Sequence, residues 1–119
     1  MKKTLVLGAS LKANRYSYFA IKRLLDFENE VVAVGNKKGE VHGVDVTTEK
    51  VMFSNIDTVT LYLNSKRQQD YYDYIVSLQP NRVLFNPGTE NPEFYKILEQ
   101  HDIVHEEACT LVLLSTNQY

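Results

Sequence analysis

The chain has 119 residues, of which 44% are hydrophobic and 24% charged, and its formal net charge at pH 7 is −2. This size and composition predict one globular domain, which we expect to span residues 1–119. The charge balance lacks the basic surplus of a nucleic-acid-binding protein, and no apolar run approaches the roughly 18–20 residues that span a bilayer.

The first predicted elements are two strands separated by a helix. Residues 4–7 (TLVL) form a short apolar run that ends at a glycine, which is typical of a buried strand in a parallel sheet. Apolar residues recur at helical spacing over residues 17–28 and predict an amphipathic helix. The β-branched run 30–34 (EVVAV) predicts the second strand.

The middle of the chain has a less regular pattern. Residues 41–46 predict a short extended segment, and residues 47–55 predict a loop. Residues 56–63 (IDTVTLYL) alternate polar and apolar side chains and predict a strand. A helix to about residue 78 should follow, with Ser65 as its N-cap and Gln68 completing a capping box.

The last third continues the alternation of strands and helices. Residues 82–85 (RVLF) predict a strand, and the sequence Asn-Pro-Glu at 91–93 predicts the start of a helix that ends near residue 101. Residues 103–105 predict a last strand, and residues 109–114 an apolar segment of undecided type. The pattern predicts an α/β fold built from βαβ units around a parallel sheet.

Ligands of such sheets bind beyond the carboxyl ends of the strands, which directs attention to the loop after the first predicted strand. Gly8 permits a tight turn there, and the helix that follows offers free backbone N–H groups to an anion. Ser10 and Ser17 supply hydroxyl groups, while Lys12 and Arg15 supply positive charge. The sequence is compatible with a phosphate-binding loop and equally with an ordinary charged turn.

The loop after the second predicted strand distinguishes between cofactors. A domain that binds NAD usually places an acid here, which bonds the ribose hydroxyls. This chain instead has Gly35, Asn36, Lys37 and Lys38, with no acid before Glu40. The pattern disfavours NAD and favours a ribose-phosphate nucleotide such as coenzyme A or NADP, although a solvated turn explains the lysines as well.

Residues 8–20 (GASLKANRYSYFA) resemble the G-A-S-x-x-x-x-R-x-S-Y signature of small stand-alone CoA-binding domain proteins. These are relatives of the CoA-binding domain in succinyl-CoA synthetase α subunits. The resemblance extends over essentially the whole chain through residues 31–43, 56–75, 85–94 and 106–114. It implies a Rossmann-like, doubly wound and mostly parallel sheet of five or six strands, with helices on both faces.

The resemblance also implies the residues that would hold coenzyme A or an acyl-CoA. The cofactor's phosphates would lie against residues of the first loop and the helix that follows it, the nucleotide against the second loop, and the rest of the cofactor against the loops after the later strands. The implied cofactor-binding residues are, in that order, Gly8, Ala9, Ser10, Arg15, Ser17 and Tyr18, then Gly35, Asn36 and Lys37, then Leu63, Asn64, Asn86, Pro87 and Gly88.

Other chemistry is weakly supported by the sequence. Cys109 is the single cysteine, which excludes an intramolecular disulfide and predicts a reducing, cytoplasmic location. A mixed disulfide with a cofactor thiol is one role for it, but free cysteines are most often buried apolar residues. His101 and His105 lack the spacing of a zinc site, and we expect no metal. The tyrosines at 71, 72 and 74 predict a core-facing helix surface or a homo-oligomer contact.

We therefore expect a protein that binds coenzyme A or an acyl-CoA in a groove at the strand ends and has no catalytic residues of its own. No nucleophile–base pair or paired carboxylates are recognisable. The alternative is a small enzyme or regulatory subunit that acts on acyl-CoA or another nucleotide cofactor, such as NADP, with a partner protein. The acyl group, the oligomeric state and the pathway are not specified by the sequence.

Overall fold

The computed structural model describes residues 2–119, which build one seven-stranded sheet covered by helices. The strands are β1 (Lys3–Ala9), β2 (Glu30–Gly35), β3 (Gly39–Val41), β4 (Val44–Thr47), β5 (Thr58–Leu61), β6 (Arg82–Phe85) and β7 (Val104–Glu107). The helices are α1 (Tyr16–Asp26), α2 (Ser65–Gln68), α3 (Tyr72–Leu78), α4 (Pro92–Gln100) and α5 (Thr110–Ser115). A single 3-10 turn, Gln69–Tyr71, lies between α2 and α3.

The strands lie in the order β3-β4-β2-β1-β5-β6-β7, and only the β3–β4 pair is antiparallel. Numbered by themselves along the chain, the six parallel strands have the order 3-2-1-4-5-6 of the dinucleotide-binding fold. The predicted Rossmann-like, doubly wound α/β class is therefore confirmed. β1 pairs with both β2 and β5, so the strand order reverses at β1. The topological switch point of the sheet therefore lies at the carboxyl end of β1.

The sheet has seven strands where five or six were expected, because residues 39–47 form a hairpin. The sequence predicted one extended segment here, but His42 and Gly43 adopt φ values of 50° and 84° and turn the chain back. Two consecutive residues with positive φ are typical of the tight turns that join antiparallel strands. His-Gly lacks the strong turn signal of Asn-Gly, so the hairpin was not visible in the sequence.

Alternate residues of β1 point to opposite faces of the sheet, and each face is covered. Leu5 and Leu7 pack in the cluster that contains residues of α3 and α4, whereas Val6 packs with residues of α1 and α5. This arrangement explains why the first strand is apolar without alternation. Both leucines have no exposed surface, and each such burial contributes about 1.5–3 kcal/mol before entropy is counted.

The segment predicted as one helix over residues 65–78 differs in detail. It comprises α2, the 3-10 turn and α3, and its N-cap is Asn64, whose side chain accepts a hydrogen bond from the Arg67 N–H at 2.9 Å. The predicted Ser65–Gln68 capping box is therefore wrong. Gln68 is fully buried and bonds backbone carbonyls of two loops instead.

The predicted cap of α4, Asn91, is confirmed by its hydrogen bond from the Phe94 N–H.

The three clustered tyrosines pack largely within the molecule. Tyr74 is buried and donates its hydroxyl hydrogen bond to the Val51 carbonyl at 2.6 Å. Tyr72 is half-buried and stacks on Phe94 with ring centres 4.3 Å apart. These tyrosines therefore pack against the core of the molecule, which is the first of the two predicted arrangements. None of the helices in residues 2–119 has the length and hydropathy of a membrane-spanning segment.

Candidate functional site

A cleft of about 810 Å³ opens at the carboxyl ends of β1, β2, β5 and β6, at the switch point of the sheet. Its walls are the loops that follow these four strands, together with the start of α1 and the residues Arg67, Asp70 and Tyr71. Its volume is within the range of roughly 300–1,000 Å³ that is typical of small-molecule sites. The fold therefore brings together four loops that are far apart in the sequence.

Most of the residues predicted to hold a cofactor line this cleft. They come from all four loops and from the first turn of α1. The twelve that do so are Gly8, Ala9, Ser10, Arg15, Ser17, Gly35, Asn36, Lys37, Leu63, Asn64, Pro87 and Gly88. Tyr18 and Asn86 lie elsewhere.

The loop between β1 and α1 is shaped by two serine side chains. Ser17 is 3% exposed, and its hydroxyl oxygen accepts a hydrogen bond from the Ser10 N–H at 3.0 Å. The Ser10 hydroxyl in turn accepts from the Lys12 N–H at 3.1 Å. Helix α1 begins with Arg15 as its N-cap residue, without a side-chain cap and without an acid in its first turn. The positive end of this helix dipole is therefore not neutralised by side chains of its own helix.

Two glycines bring backbone segments into direct contact at the floor of the cleft. A Cβ on Gly35 would lie 2.2 Å from the Ala9 carbonyl oxygen. A Cβ on Gly8 would lie 2.9 Å from the Tyr62 carbonyl carbon, and Gly8 also has φ +93°. Larger residues at these positions would push the loops after β1, β2 and β5 apart.

The cleft carries a surplus of positive charge. Lys12, Arg15, Lys37 and Arg67 line it, and Asp70 is the one carboxylate among the described lining residues. The four cations and one anion leave a local charge of about +3, in a chain whose formal charge is −2. The arrangement favours anionic ligands.

Tyr18 does not lie in the cleft, although the resemblance implied a cofactor contact. Its half-buried ring packs against the core on the α1 face and meets His42 edge-on, with ring centres 4.7 Å apart. Successive helix residues differ by about 100° in direction, so Tyr18 faces away from the site that Ser17 faces. The helical periodicity, which places Tyr18 with Ile21 and Leu24, already indicated this orientation.

Asn86 is buried beneath the cleft and supports it. Its side-chain N–H groups donate to the Thr60 hydroxyl at 2.7 Å and to the Leu61 carbonyl at 2.9 Å. Its side-chain oxygen accepts from the Thr110 N–H at 2.8 Å. Asn86 therefore joins β5, β6 and the start of α5, and the turn after it presents Pro87 and Gly88 to the cleft.

Eight lining residues were not among the implied cofactor-binding residues, namely Leu11, Lys12, Tyr16, Tyr62, Arg67, Asp70, Tyr71 and Thr89. Of these, Lys12 had been named for its positive charge. Leu11, Tyr16 and Thr89 lie within loops that the sequence had indicated. The last two residues of the 3-10 turn, Asp70 and Tyr71, line the cleft at a position where the sequence predicted a continuous helix. Burial raises the pKa of Tyr62 to about 12, so its phenol is neutral at physiological pH.

The lining residues offer little acid–base chemistry. Cys109 is half-buried and is not among the described lining residues. His105 bonds Glu99 at 2.7 Å on the outer side of α4 and β7. Within residues 2–119, no group of three or more histidine, cysteine or acidic side chains could hold a metal ion.

Comparison with known proteins gives the family. Residues 2–115 match the family model described as a CoA binding domain. The chain belongs to this CoA-binding domain family. Membership supports coenzyme A binding in general, and it agrees with the signature in the loop after β1. No curated protein matches the sequence of this CoA-binding domain.

Solved structures share the fold of this CoA-binding domain. A crystal structure described only as an uncharacterized protein is 49% identical, with a TM-score of 0.97 over 100% of this chain and 98% of that chain. A hypothetical protein from Pyrococcus horikoshii OT3 is 24% identical, with a TM-score of 0.88 over 97% of this chain and 82% of that one.

A much larger enzyme contains a similar fold. A dinucleotide-forming acetyl-coenzyme A synthetase 1 from Ca. Korarchaeum cryptofilum, in complex with phosphate and ADP, is 14% identical with a TM-score of 0.73. The match covers 89% of this chain and 25% of that chain. At this identity the likeness concerns the fold alone.

Proposed function

We propose that this CoA-binding domain holds coenzyme A, or an acyl-CoA, in the cleft at the carboxyl ends of β1, β2, β5 and β6, and that it catalyses no reaction itself. The observation that carries the proposal is the loop between β1 and α1. Ser17 fixes this loop at the uncapped start of α1, and Lys12 and Arg15 lie beside it in the cleft.

The cleft suits the anionic half of coenzyme A. The diphosphate and the ribose phosphate of this cofactor are strong hydrogen-bond acceptors, and backbone N–H groups at a helix start bind such anions. Gly8 and Gly35 keep the floor of the cleft free of side chains. The residues present therefore fit the phosphates of the cofactor.

The two sides of the cleft differ in charge, which gives the cofactor a direction. The loops after β1 and β2 contribute Lys12, Arg15 and Lys37, whereas the loops after β5 and β6 contribute the uncharged segments 62–64 and 87–89. The nucleotide half therefore lies over β1 and β2, and the uncharged pantetheine half lies along the loops after β5 and β6. Arg67 of α2 and Asp70 of the 3-10 turn also line the cleft, and their charges are opposite in sign.

The end of β2 favours a phosphorylated ribose. Asn36 and Lys37 line the cleft there, and the carboxylate that bonds the ribose hydroxyls of NAD is missing from the loop. Lys37 is the residue that we assign to the ribose phosphate. Lys38 is its neighbour in sequence but does not line the cleft, so it provides a matched control.

The types of side chain that line the cleft support binding without catalysis. Asp70 is the one carboxylate among the described lining residues, and neither histidine nor cysteine lines the cleft. General acid–base catalysis most often uses a histidine or a carboxylate, and a nucleophile is commonly activated by an adjacent base. We infer a carrier or sensor of the cofactor, and its unpaired cysteine agrees with a cytoplasmic location.

Calorimetric titration with coenzyme A, acetyl-CoA, dephospho-CoA, NADP and NAD tests the proposal. We expect binding of both CoA forms and no binding of NAD. Lys37→Ala should weaken coenzyme A binding by about fivefold but leave dephospho-CoA, which has no ribose phosphate, unchanged. Lys38→Ala should leave both affinities unchanged. Absence of heat from coenzyme A and acetyl-CoA alike would overturn the proposal.

A further inference from the structure

We propose that Gln68 is a positioning residue for the uncharged wall of the cleft, the part formed by residues 62–64 after β5 and residues 87–89 after β6. Gln68 itself does not line the cleft. It is the last residue of α2, and its side chain has no exposed surface. The inference rests on the proposed function, because it concerns the part of the cleft that we assign to pantetheine.

The carboxamide of Gln68 links the two loops of this wall. Its nitrogen donates one hydrogen bond to the Leu63 carbonyl and one to the Thr89 carbonyl, each at 2.8 Å. Leu63 and Thr89 both line the cleft and are 26 positions apart in the sequence. One planar group therefore fixes the separation of two loops that leave neighbouring strands, β5 and β6.

A second buried amide fixes the orientation of Gln68. The Asn91 nitrogen donates to the Gln68 side-chain oxygen at 2.9 Å and to the Tyr72 hydroxyl at 2.8 Å. The Tyr72 hydroxyl donates onward to the Glu93 carboxylate at 2.9 Å. With its oxygen engaged by Asn91, the Gln68 amide presents both hydrogens to the two loop carbonyls, and neither donor is left unpaired.

Loss of this amide would leave buried carbonyls of both loops without a donor, which favours rearrangement of the wall. The loop between β1 and α1 has its own fixed geometry through Ser17 and shares no hydrogen bond with Gln68. Removal of the amide should therefore affect the pantetheine half of the cofactor and spare the nucleotide half. A residue needed only for general stability would affect both halves alike.

The test compares two ligands on the full chain, coenzyme A and adenosine 3′,5′-bisphosphate, which lacks pantetheine. Gln68→Met keeps the length of the side chain but removes its donors and acceptor. We expect coenzyme A binding to weaken by about tenfold, while adenosine 3′,5′-bisphosphate binding changes by less than about twofold. Leu98→Ala, a core substitution on the buried face of α4 and outside the cleft, controls for lost stability and should leave the ratio of the two affinities unchanged.

Asn91→Asp removes the hydrogen bond that orients Gln68 and leaves Gln68 itself in place. It provides a second test if the Gln68 variant does not fold. Aspartate is as good an N-cap as asparagine, so α4 should keep its start. It has no N–H to donate to Gln68, and the carboxamide loses its anchor. The selective loss of coenzyme A affinity should recur in this variant.

The outcomes separate the two proposals. Equal weakening of both ligands in the Gln68 and Asn91 variants, or no weakening of either, overturns the positioning role while leaving the proposed function intact. Failure of the unaltered protein to bind coenzyme A at all overturns the proposed function, and this inference with it. Selective weakening in either variant, together with an unchanged ratio in Leu98→Ala, supports the positioning role.

Discussion

At the scale of single residues, the shape of the candidate site depends on buried side chains that bond backbone groups. Ser17, Gln68 and Asn86 are all at most 3% exposed. Ser17 and Gln68 bond the backbone of loops that line the cleft, and Asn86 bonds the Leu61 carbonyl at the end of β5, directly before such a loop. Such groups are costly to remove because their backbone partners are then buried without hydrogen bonds. The shape of the cleft therefore depends largely on these buried side chains.

Ser17→Ala should disturb the loop between β1 and α1 by removing the acceptor of the Ser10 N–H. We expect a loss of about 1–2 kcal/mol in the free energy of unfolding, measured by urea titration. Coenzyme A and adenosine 3′,5′-bisphosphate should both bind about tenfold more weakly, since both carry phosphate to this loop. The shared loss distinguishes this variant from Gln68→Met.

Ser77→Ala is the matched control for this prediction. The Ser77 hydroxyl is exposed and donates to the Asp73 carbonyl within α3, so its loss should change stability by less than about 0.5 kcal/mol and change neither affinity. Unaltered affinities in a folded Ser17→Ala protein would contradict the role that we assign to the loop.

The residue-level predictions from sequence succeeded where local backbone chemistry decides the structure. Asn91 caps α4 because Asn-Pro-Glu specifies a helix start by itself. The roles of Gln68 and Asn86 could not be assigned from the sequence, because their most distant partners lie 23 and 26 positions away. Tyr18 was misplaced because a sequence signature gives residue types in order and does not say which face of a helix each one occupies.

At the scale of elements, the amino ends of three strands are linked by hydrogen bonds to one residue, Asp57, whereas the carboxyl ends of the strands border the cleft. The Asp57 N–H donates to the Lys3 carbonyl, and the Asp57 carbonyl accepts from the N–H groups of Asn81 and Arg82. The Asp57 carboxylate accepts from the Thr58 hydroxyl at 2.7 Å and the Asn81 side chain at 2.8 Å. Asp57 thereby aligns the starts of β1, β5 and β6 on the side of the sheet opposite the cleft.

The carboxyl group of Asp57 should make stability depend on pH. Burial by itself would raise its pKa, but hydrogen bonds from Asn81 and Thr58 and the charges of Lys2 and Arg82 outweigh burial and lower the pKa below 3.8. Because the folded pKa lies below the unfolded one, the contribution is present above about pH 4 and is lost as the pH falls through the folded pKa.

Asp57→Asn should therefore lower the free energy of unfolding by about 1 kcal/mol at pH 7, and by less at pH 3. Urea titrations at both pH values measure the difference. Asp26→Asn, which removes an exposed ion pair with Lys22, should cost no more than about 0.5 kcal/mol at pH 7. A deficit for Asp57→Asn that is as large at pH 3 as at pH 7 would show that the carboxylate charge is not responsible.

Element order could be predicted from sequence, whereas element edges and the hairpin could not. The strands over residues 4–7, 30–34 and 82–85 were recognisable because burial on both faces demands unbroken apolar runs. The hairpin at residues 39–47 depends on positive φ values at His42 and Gly43, and its strands are only three and four residues long. Period-two patterns need longer runs than these to be distinguished from loops.

At the scale of the whole molecule, the cleft lies where the two halves of the sheet meet. The loops after β1 and β2 and the start of α1 form one side of the cleft, while the loops after β5 and β6, with residues of α2 and of the 3-10 turn, form the other side. The charged and uncharged walls belong to different halves, so a ligand as long as coenzyme A would contact both. Its binding should therefore be linked to the stability of the entire sheet.

Coenzyme A should raise the melting temperature of the protein, because it binds the folded cleft and the unfolded chain has none. At 100 times its dissociation constant the stabilisation is about 2.7 kcal/mol, which corresponds to roughly 10 °C for a chain of this length. A thermal melt followed by circular dichroism measures the shift. NAD at the same concentration is the control and should give no shift, because the loop after β2 has no carboxylate to bond the NAD ribose. A coenzyme A shift that is no larger than the NAD shift would contradict binding in a cleft that exists only when both halves of the sheet are folded together.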